Sequence, residues 1–301
     1  MTISQILKKY HHIDLLDLQV ILAHVLQKSR EFLITHETEP ISFFNQLKFK
    51  RLVNKRKSGI SIAYLTGHKE FFRLDFLVNK HTLVPRPDTE ILVETVISHI
   101  TYHITHNNDK LTLVDVGTGS GCIPIAINKA IKQWNNGTIS VYATDISKSA
   151  LNVAKQNAQI HNTKITFLHG NLLESFIQQY NNKTIEQYEH LIITANLPYL
   201  TEEQFTKEPS IHHEPKSALV AEKNGLALYE ELLKQIAQSC TTYHIPHITC
   251  FFEIDPNQTN TIQKLILNYL PKGHIIITKD LAGFDRVVKI THHFPFLEAS
   301  P

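Results

Sequence analysis

The segment Leu113-Val114-Asp115-Val116-Gly117-Thr118-Gly119-Ser120-Gly121 limits the possible folds more than any other part of the chain. An apolar run ends in three alternate glycines and passes into a helical pattern from Cys122. Glycines permit a tight turn and close backbone approach, and the helix that follows presents free N–H groups at its start. Such a unit belongs to an open α/β sheet. Further apolar strands are expected at Ile139 to Thr144, Ile165 to Leu168, Leu191 to Thr194 and His247 to Glu253, with the first at Leu111 to Asp115. Their alternation with helical segments predicts a parallel sheet covered on both faces. His274 to Thr278 and Arg286 to Ile290 flank a turn containing Gly283 and read as an antiparallel pair.

The front of the chain has a different pattern. Leu15, Leu18, Ile21, Leu22, Val25 and Leu26 follow helical spacing, Ser29 can cap a short helix from Arg30, and Ile41 to Lys57 continues after Pro40. Phe71, Phe72, Leu74, Phe76 and Val78 suggest a hairpin that Pro85-Arg86-Pro87 halts. The expected division is a helical docking domain over residues 1–75, a hairpin linker over 76–90 and an α/β domain over 91–301. A chain of 301 residues, 42% hydrophobic and 19% charged, has material for both. The formal charge of +2 averages unlike halves: residues 1–80 hold 13 Lys and Arg against 7 Asp and Glu. Lys48, Arg51 and Lys55 share a helical face, either a solvated surface or a dock for an acidic partner. Cys122, Cys240 and Cys250 form no paired motif and read as small core residues. With no long apolar run and no signal-peptide pattern, no membrane association and a cytoplasmic location are expected.

Asp145, at the end of the second strand, stands 24 residues after Gly121, where a carboxylate can accept ribose hydroxyls. Asn171 follows the third strand, either as a turn residue or as a partner for an adenine edge. A nucleotide-like cofactor is implied. The dinucleotide fingerprint would place its third glycine at 122, where this chain has Cys122. The spacing observed resembles that of class I S-adenosyl-L-methionine-dependent methyltransferases, which implies a Rossmann-like fold.

After the fourth strand comes Asn196-Leu197-Pro198-Tyr199. It is similar to the Asn-Pro-Pro-Tyr motif of methyltransferases acting on planar amide or amine nitrogens, whose lone pair is delocalised and weakly nucleophilic. An Asn oxygen and a following backbone carbonyl can accept the two N–H groups and stabilise the charge that develops on attack. Tyr199 would then cover the flat face of the substrate. With Leu197 in place of the proline, the motif also resembles that of ribosomal RNA adenine dimethyltransferases, so these four residues leave the substrate open.

Leu83-Val84-Pro85-Arg86-Pro87-Asp88-Thr89-Glu90, Ser29-Arg30-Glu31, Glu214-Pro215 with Ala218-Leu219, and Asp280 to Arg286 together resemble the HemK family of peptide-chain release factor glutamine methyltransferases. The resemblance spans nearly the whole chain. It implies S-adenosyl-L-methionine as cofactor and, as partner, class I release factors methylated at the glutamine N5 of Gly-Gly-Gln. Gly117, Thr118, Gly119, Ser120, Gly121, Asp145, Asn171 and Asn196 would contact the cofactor. Asn196, Leu197, Pro198 and Tyr199 would hold the glutamine and catalyse transfer. Residues 85–90 are expected near the site, without individual roles. A monomer is expected, with no metal and no nucleic-acid substrate. Ribosomal-protein glutamine methylation and adenine-N6 methylation are the alternatives. Two departures from the family pattern are Arg73, where a glycine is usual, and Asp255-Pro256, where a glycine is expected after Ile254. His99, His103 and His106 fall at helical spacing and are expected to be exposed.

Overall fold

The computed structural model describes residues 1–106, 110–132, 139–182, 190–243 and 247–293. The first helices begin where the sequence supplies a cap. Thr2, Asp14, Ser29, Ser42 and Ser61 each accept a backbone N–H of the following turn. They start α1 (Ile3–Lys9), α2 (Leu15–Leu26), α3 (Arg30–Thr35), α4 (Phe43–Lys57) and α5 (Ile62–Thr66). Ile6, Leu18, Leu22, Leu33, Phe49 and Val53 on their inward faces share a core separate from that of the sheet. Helix α4 buries Phe49 and Val53 and leaves Lys48, Arg51 and Lys55 exposed. Arg56 instead pairs with Asp17 at 2.6 Å.

Gly67 closes α5 in the left-handed conformation, and the hairpin of β1 (His68–Phe71) and β2 (Leu74–Leu77) follows at once. It falls on the Phe71 to Val78 segment whose alternation suggests a hairpin, beginning slightly ahead of it. Strand β1 buries only Phe71, which is too little alternation to mark where the strand begins. Phe72 and Arg73 form its turn with φ of 50° and 58°. This two-residue turn matches the strand twist but needs left-handed backbone. Arg73 thus adopts what a glycine would adopt freely, at about 1–2 kcal/mol.

After α6 (Glu90–His106) the chain alternates strand and helix. The strands are β3 (Leu111–Val116), β4 (Ile139–Asp145), β5 (Thr166–His169), β6 (His190–Ala195) and β7 (His247–Glu253). Between them run α7 (Cys122–Ile131), α8 (Lys148–Ile160), α9 (Glu174–Asn181), α10 (Glu202–Lys207), the short α11 (Glu222–Gly225) and α12 (Ala227–Tyr243). Finally α13 (Thr259–Tyr269) leads into β8 (His274–Lys279) and β9 (Asp285–His293). The sheet order is β5-β4-β3-β6-β7-β9-β8, parallel through β7 and antiparallel at β9 and β8.

The continuous apolar runs are explained by burial on both faces. Leu113, Ile192 and Phe251 point to one face, against α6 and α7; Val114, Ile193 and Phe252 point to the other, against α12 and α13. Cys122 and Cys250 are buried, as small core residues would be; the side chain of Cys240 lies outside the described residues. No helix among the described residues is long and apolar enough to cross a membrane.

Candidate active site

The sheet's register assembles the site. Thr144, Val116, Ala195 and Phe252 lie in one row across β4, β3, β6 and β7. The next residues along these four segments are Asp145, Gly117, Asn196 and Glu253. Strand order reverses between β3 and β6, so their carboxyl ends border a crevice, the usual ligand site of an open α/β sheet. A cavity of about 460 Å³ occupies it.

Gly117 and Thr118 donate their N–H groups to Thr144 O at 2.9 and 3.0 Å, which folds the loop against β4. Gly117 has φ of 72°, and a Cβ there would come within 2.9 Å of Leu197 Cδ2. Glycine is thus required both by the turn and by the neighbouring loop. The Asp145 carboxylate accepts Gly119 N at 2.8 Å and Ser147 N at 2.7 Å, one on each oxygen. A lone pair on each oxygen is left for a ligand. Burial raises its pKa, and the two N–H bonds oppose that rise. Asn171 donates to Glu174 Oε1 at 3.2 Å, leaving its carbonyl oxygen for another group. Beneath the loop, Asp115 accepts Thr194 Oγ1 at 2.7 Å, and burial pushes it up to about 7.

Asn196 lines the cavity and donates through Nδ2 to Thr89 Oγ1 at 3.1 Å. Leu197, buried against the glycine loop, donates its N–H to Tyr229 Oη at 3.2 Å, and the Leu197–Pro198 bond is trans. Tyr229 donates in turn to the backbone oxygen of Glu253. Tyr199, next in the loop, is partly buried. It packs against the buried core and donates its hydroxyl to Glu253 Oε1 at 3.3 Å, so it is not part of the cavity wall. Its carbonyl accepts Gln258 Nε2 at 2.9 Å. Gln258 also donates to Asn224 O, joining this loop to α11. Asp255, one of the departures from the family pattern, caps the turn that delivers Gln258. Gly225 has φ of 82°, and any Cβ there would overlap the Tyr199 carbonyl.

Residues 84–90 tie these parts together. Glu214, nearly fully buried, accepts Val84 N at 3.0 Å and pairs with Arg86. Asp88 lies 3.4 Å from Arg286, which also pairs with Asp280 at 3.1 Å. Thr89 meets Asn196, and Glu90 accepts the N–H of Phe72 at 2.9 Å, supporting the strained hairpin turn. Each segment that carried the family resemblance around this site is therefore bonded to another. On the far side, Tyr64 of α5 donates to Thr82 O at 2.5 Å, bringing the helical part to the cavity rim.

Of the residues expected to contact ligand, Gly117, Thr118, Gly119, Ser120, Asp145, Asn171, Asn196, Leu197 and Pro198 line the cavity. Gly121 stands behind it as the N-cap of α7, and Tyr199 lies below. The sequence did not single out Ile146 and Leu172, apolar wall residues following strands; Thr89, which also lines the cavity, falls within the 85–90 segment expected near the site. An apolar residue directly after the strand-end acid was the available signal for Ile146. Among the histidines, His99 and His103 gather with His190 of β6 instead of with His106, their ligand atoms lying within 4.8 Å of one another. His99 is half-buried rather than exposed. Burial, with Lys289 at 3.3 Å from Nδ1, pushes it down to about 2. His106 stacks on Tyr102.

The strand–glycine-loop crevice with a carboxylate on the adjacent strand defines a class I methyltransferase. Residues 107–280 match the family described as "Methyltransferase domain", and residues 2–67 match the "PrmC N-terminal domain". The release factor glutamine methyltransferase of Bacillus anthracis is 32% identical over 272 residues, 90% of each chain. That of Enterococcus faecalis is 39% identical over 226 residues, 74% of this chain and 73% of that one. The chain belongs to the release factor glutamine methyltransferase family. In fold alone it is similar to the hMettl16 catalytic domain in complex with MAT2A 3′UTR hairpin 1, with a TM-score of 0.52, 16% identity and 93% of both chains covered.

S-adenosyl-L-methionine is the cofactor of this class, and the cavity's residues fit it. A Cβ on Gly119 would meet no atom within 4 Å, so the loop leaves open space at the cavity wall. Ile146, 70% exposed, offers an apolar flank beside Asp145.

Proposed function

We propose that the protein methylates the side-chain amide nitrogen of the glutamine in the Gly-Gly-Gln motif of class I release factors. The observation that carries this reading is the placement of Asn196 in the same edge row as Asp145 and the glycine loop. A polar amide oxygen is thereby set beside the cofactor pocket, where an amide N–H needs an acceptor. Asp145 accepts the ribose hydroxyls, Gly119 admits the backbone-hugging part of the cofactor, and Asn171 and Ile146 meet the adenine. The cofactor supplies an electrophilic methyl group on a sulfonium. Asn196 Oδ1 and the Leu197–Pro198 backbone hold the substrate nitrogen in line with that methyl group and favour the charge that grows on it. A nitrogen–carbon bond forms as the sulfur–carbon bond breaks, and the nitrogen then releases one proton to solvent. No strong base is needed before transfer, because bond formation itself acidifies the nitrogen.

In this reading residues 1–75 dock the partner. Helix α4 carries Lys48, Lys50, Arg51 and Lys55 in exposed positions beside Phe43 and Phe44, 68% and 81% exposed. A basic and apolar face of this kind suits an acidic protein surface. The enzyme acts in the cytoplasm as a monomer, and nucleic acid is not its substrate. Incubation with cofactor and a cognate release factor is expected to add one methyl group at the Gly-Gly-Gln glutamine, located by peptide mass spectrometry. Ribosomal proteins and structured RNA in parallel reactions should remain unmethylated. Methyl transfer to either, with none to an authentic cognate factor, overturns the assignment.

A further inference from the structure

At the edge of the sheet away from the cavity, three imidazoles converge. His99 and His103 lie one turn apart on α6, and His190 opens β6 with its ring toward that helix. One ligand nitrogen of each ring lies within 4.8 Å of the other two. The ring centroids are 4.5, 4.7 and 5.4 Å apart, with interplanar angles of 63°, 86° and 82°. Imidazoles sharing one tetrahedral Zn2+ at the usual bond lengths have centroids roughly 5.2 Å apart and ligand nitrogens roughly 3.4 Å apart. The three nitrogens therefore need to close by at most about 1.4 Å to share an ion, which small side-chain rotations supply.

The surroundings suit ligation. Neutral imidazole is the form that binds a metal, because a ring lone pair must face the ion. Burial, with Lys289, His103 and His190 adding to it, holds His99 neutral. Lys289 Nζ stands 3.3 Å from His99 Nδ1, which leaves Nε2 as the nitrogen for an ion. That Nε2 is buried and has no hydrogen-bond partner among the described residues, a costly state for a polar atom in a native fold. His190 Nε2 lies 2.8 Å from Oγ1 of Thr249, a fully buried residue of β7 that can hold the ring's orientation. The group contains neither carboxylate nor thiolate. An all-imidazole donor set selects Zn2+, Co2+, Ni2+ or Cu2+ over Mg2+ and Ca2+.

We propose that His99, His103 and His190 bind one divalent transition-metal ion of the zinc class, which pins the C-terminal half of α6 to the start of β6. This departs from the expectation that the chain takes no metal. Helical spacing alone aligns His106 with the first two histidines, whereas the fold brings in His190 from the sheet. The ion stands apart from the methyl-transfer chemistry. Asn196 follows His190 by six residues of nearly continuous strand, roughly 20 Å at the usual rise. Its effect is on stability, and it holds whatever the cavity's substrate. Lys289 sets the limit on affinity: its charge repels the ion, and with Nε2 ligated the ring proton sits on Nδ1, facing the amine.

The chain has 19 histidines, so the test uses tag-free protein and a histidine control outside the cluster. Wild type, H99Q, H103Q, H106Q and K289Q are titrated with Zn2+ by calorimetry at neutral pH, and Co2+ absorption reports the coordination geometry. Wild type should bind one Zn2+ with a Kd of about 10 μM or tighter and give the intense visible bands of four-coordinate Co2+. At Zn2+ about 100-fold above Kd, its Tm should rise by roughly 5 °C. H103Q and H99Q, checked for fold by circular dichroism, should bind at least about 10-fold more weakly. H106Q should match wild type. K289Q should bind several-fold more tightly, because it removes the charge and offers an amide oxygen to the Nδ1 proton. A wild-type Kd weaker than about 10 μM overturns the site. So does an H103Q within about threefold of wild type, or an H106Q as impaired as H103Q, since the ion would then rest on other histidines.

Discussion

Removing the Glu214 carboxylate should loosen two walls of the cavity at once. One wall comes from Leu83, Pro85 and Arg86, and the other from Pro215, Ser217 and Ala218. Glu214 joins them, its side chain 3% exposed, accepting Val84 N and pairing with Arg86, whose side chain is 35% exposed. Breaking a fully buried pair from one side costs about 3–5 kcal/mol. Here water reaches the arginine, so the pair itself is worth about 2 kcal/mol. The Val84 bond to a charged acceptor adds about 1.5 kcal/mol that survives in R86A and is lost in E214A. The expected losses are therefore about 3–4 kcal/mol for E214A and about 2 kcal/mol for R86A, with a double variant close to E214A alone. A urea-denaturation double-mutant cycle followed by circular dichroism measures the coupling, and cofactor calorimetry on the same proteins reads the cavity. A coupling energy below about 0.5 kcal/mol, the range of an ordinary exposed pair, would refute the reasoning.

Gly225→Ala should sharply reduce methyl transfer, because its Cβ would overlap the Tyr199 carbonyl at a left-handed φ of 82°; wild-type turnover would show that the loop relaxes freely. Arg73→Gly should stabilise the hairpin by up to about 1 kcal/mol, the relief of left-handed strain less the added unfolded-state freedom, measured by thermal unfolding. Asp145→Ala should weaken cofactor binding at least tenfold in calorimetry, whereas Asn196→Ala should lower kcat and leave cofactor affinity nearly intact. Asp115, held up to about 7, keeps a proton in the folded chain that the unfolded chain gives up near pH 4. Stability should therefore fall as pH rises from about 4 to 7, and Asp115→Asn should flatten that slope by up to about 1.4 kcal/mol per pH unit.

Features built from neighbouring residues were legible in the sequence. The buried strands showed as apolar runs, and a helix cap as Ser29 ahead of helical spacing. The glycine loop and Asp145 were legible because a strand and its loop are continuous in the chain. What depends on distant partners was not. Tyr199 packs against the core with its hydroxyl on Glu253, a residue far along the chain. The individual roles of Arg86, Asp88 and Thr89 are fixed by Glu214, Arg286 and Asn196, and no spacing announces such pairs. Helical periodicity grouped His106 with His99 and His103, but the sheet beneath α6 supplies His190 instead.

The alignment of Asp145, Gly117, Asn196 and Glu253 makes the sheet a ruler for the chemistry. Adjacent strands stand about 4.8 Å apart, so Asp145 and Asn196, two strands apart, are held roughly 10 Å from each other by backbone pairing alone. Chain added ahead of Ile139, His190 or His247 enters at the opposite edge and leaves that spacing unchanged. One residue added within β6 would instead turn its side chains to the other face and carry Asn196 out of line. Length variation in this chain is therefore tolerable before the strands and costly within them, and the boundary between the two is the register row itself.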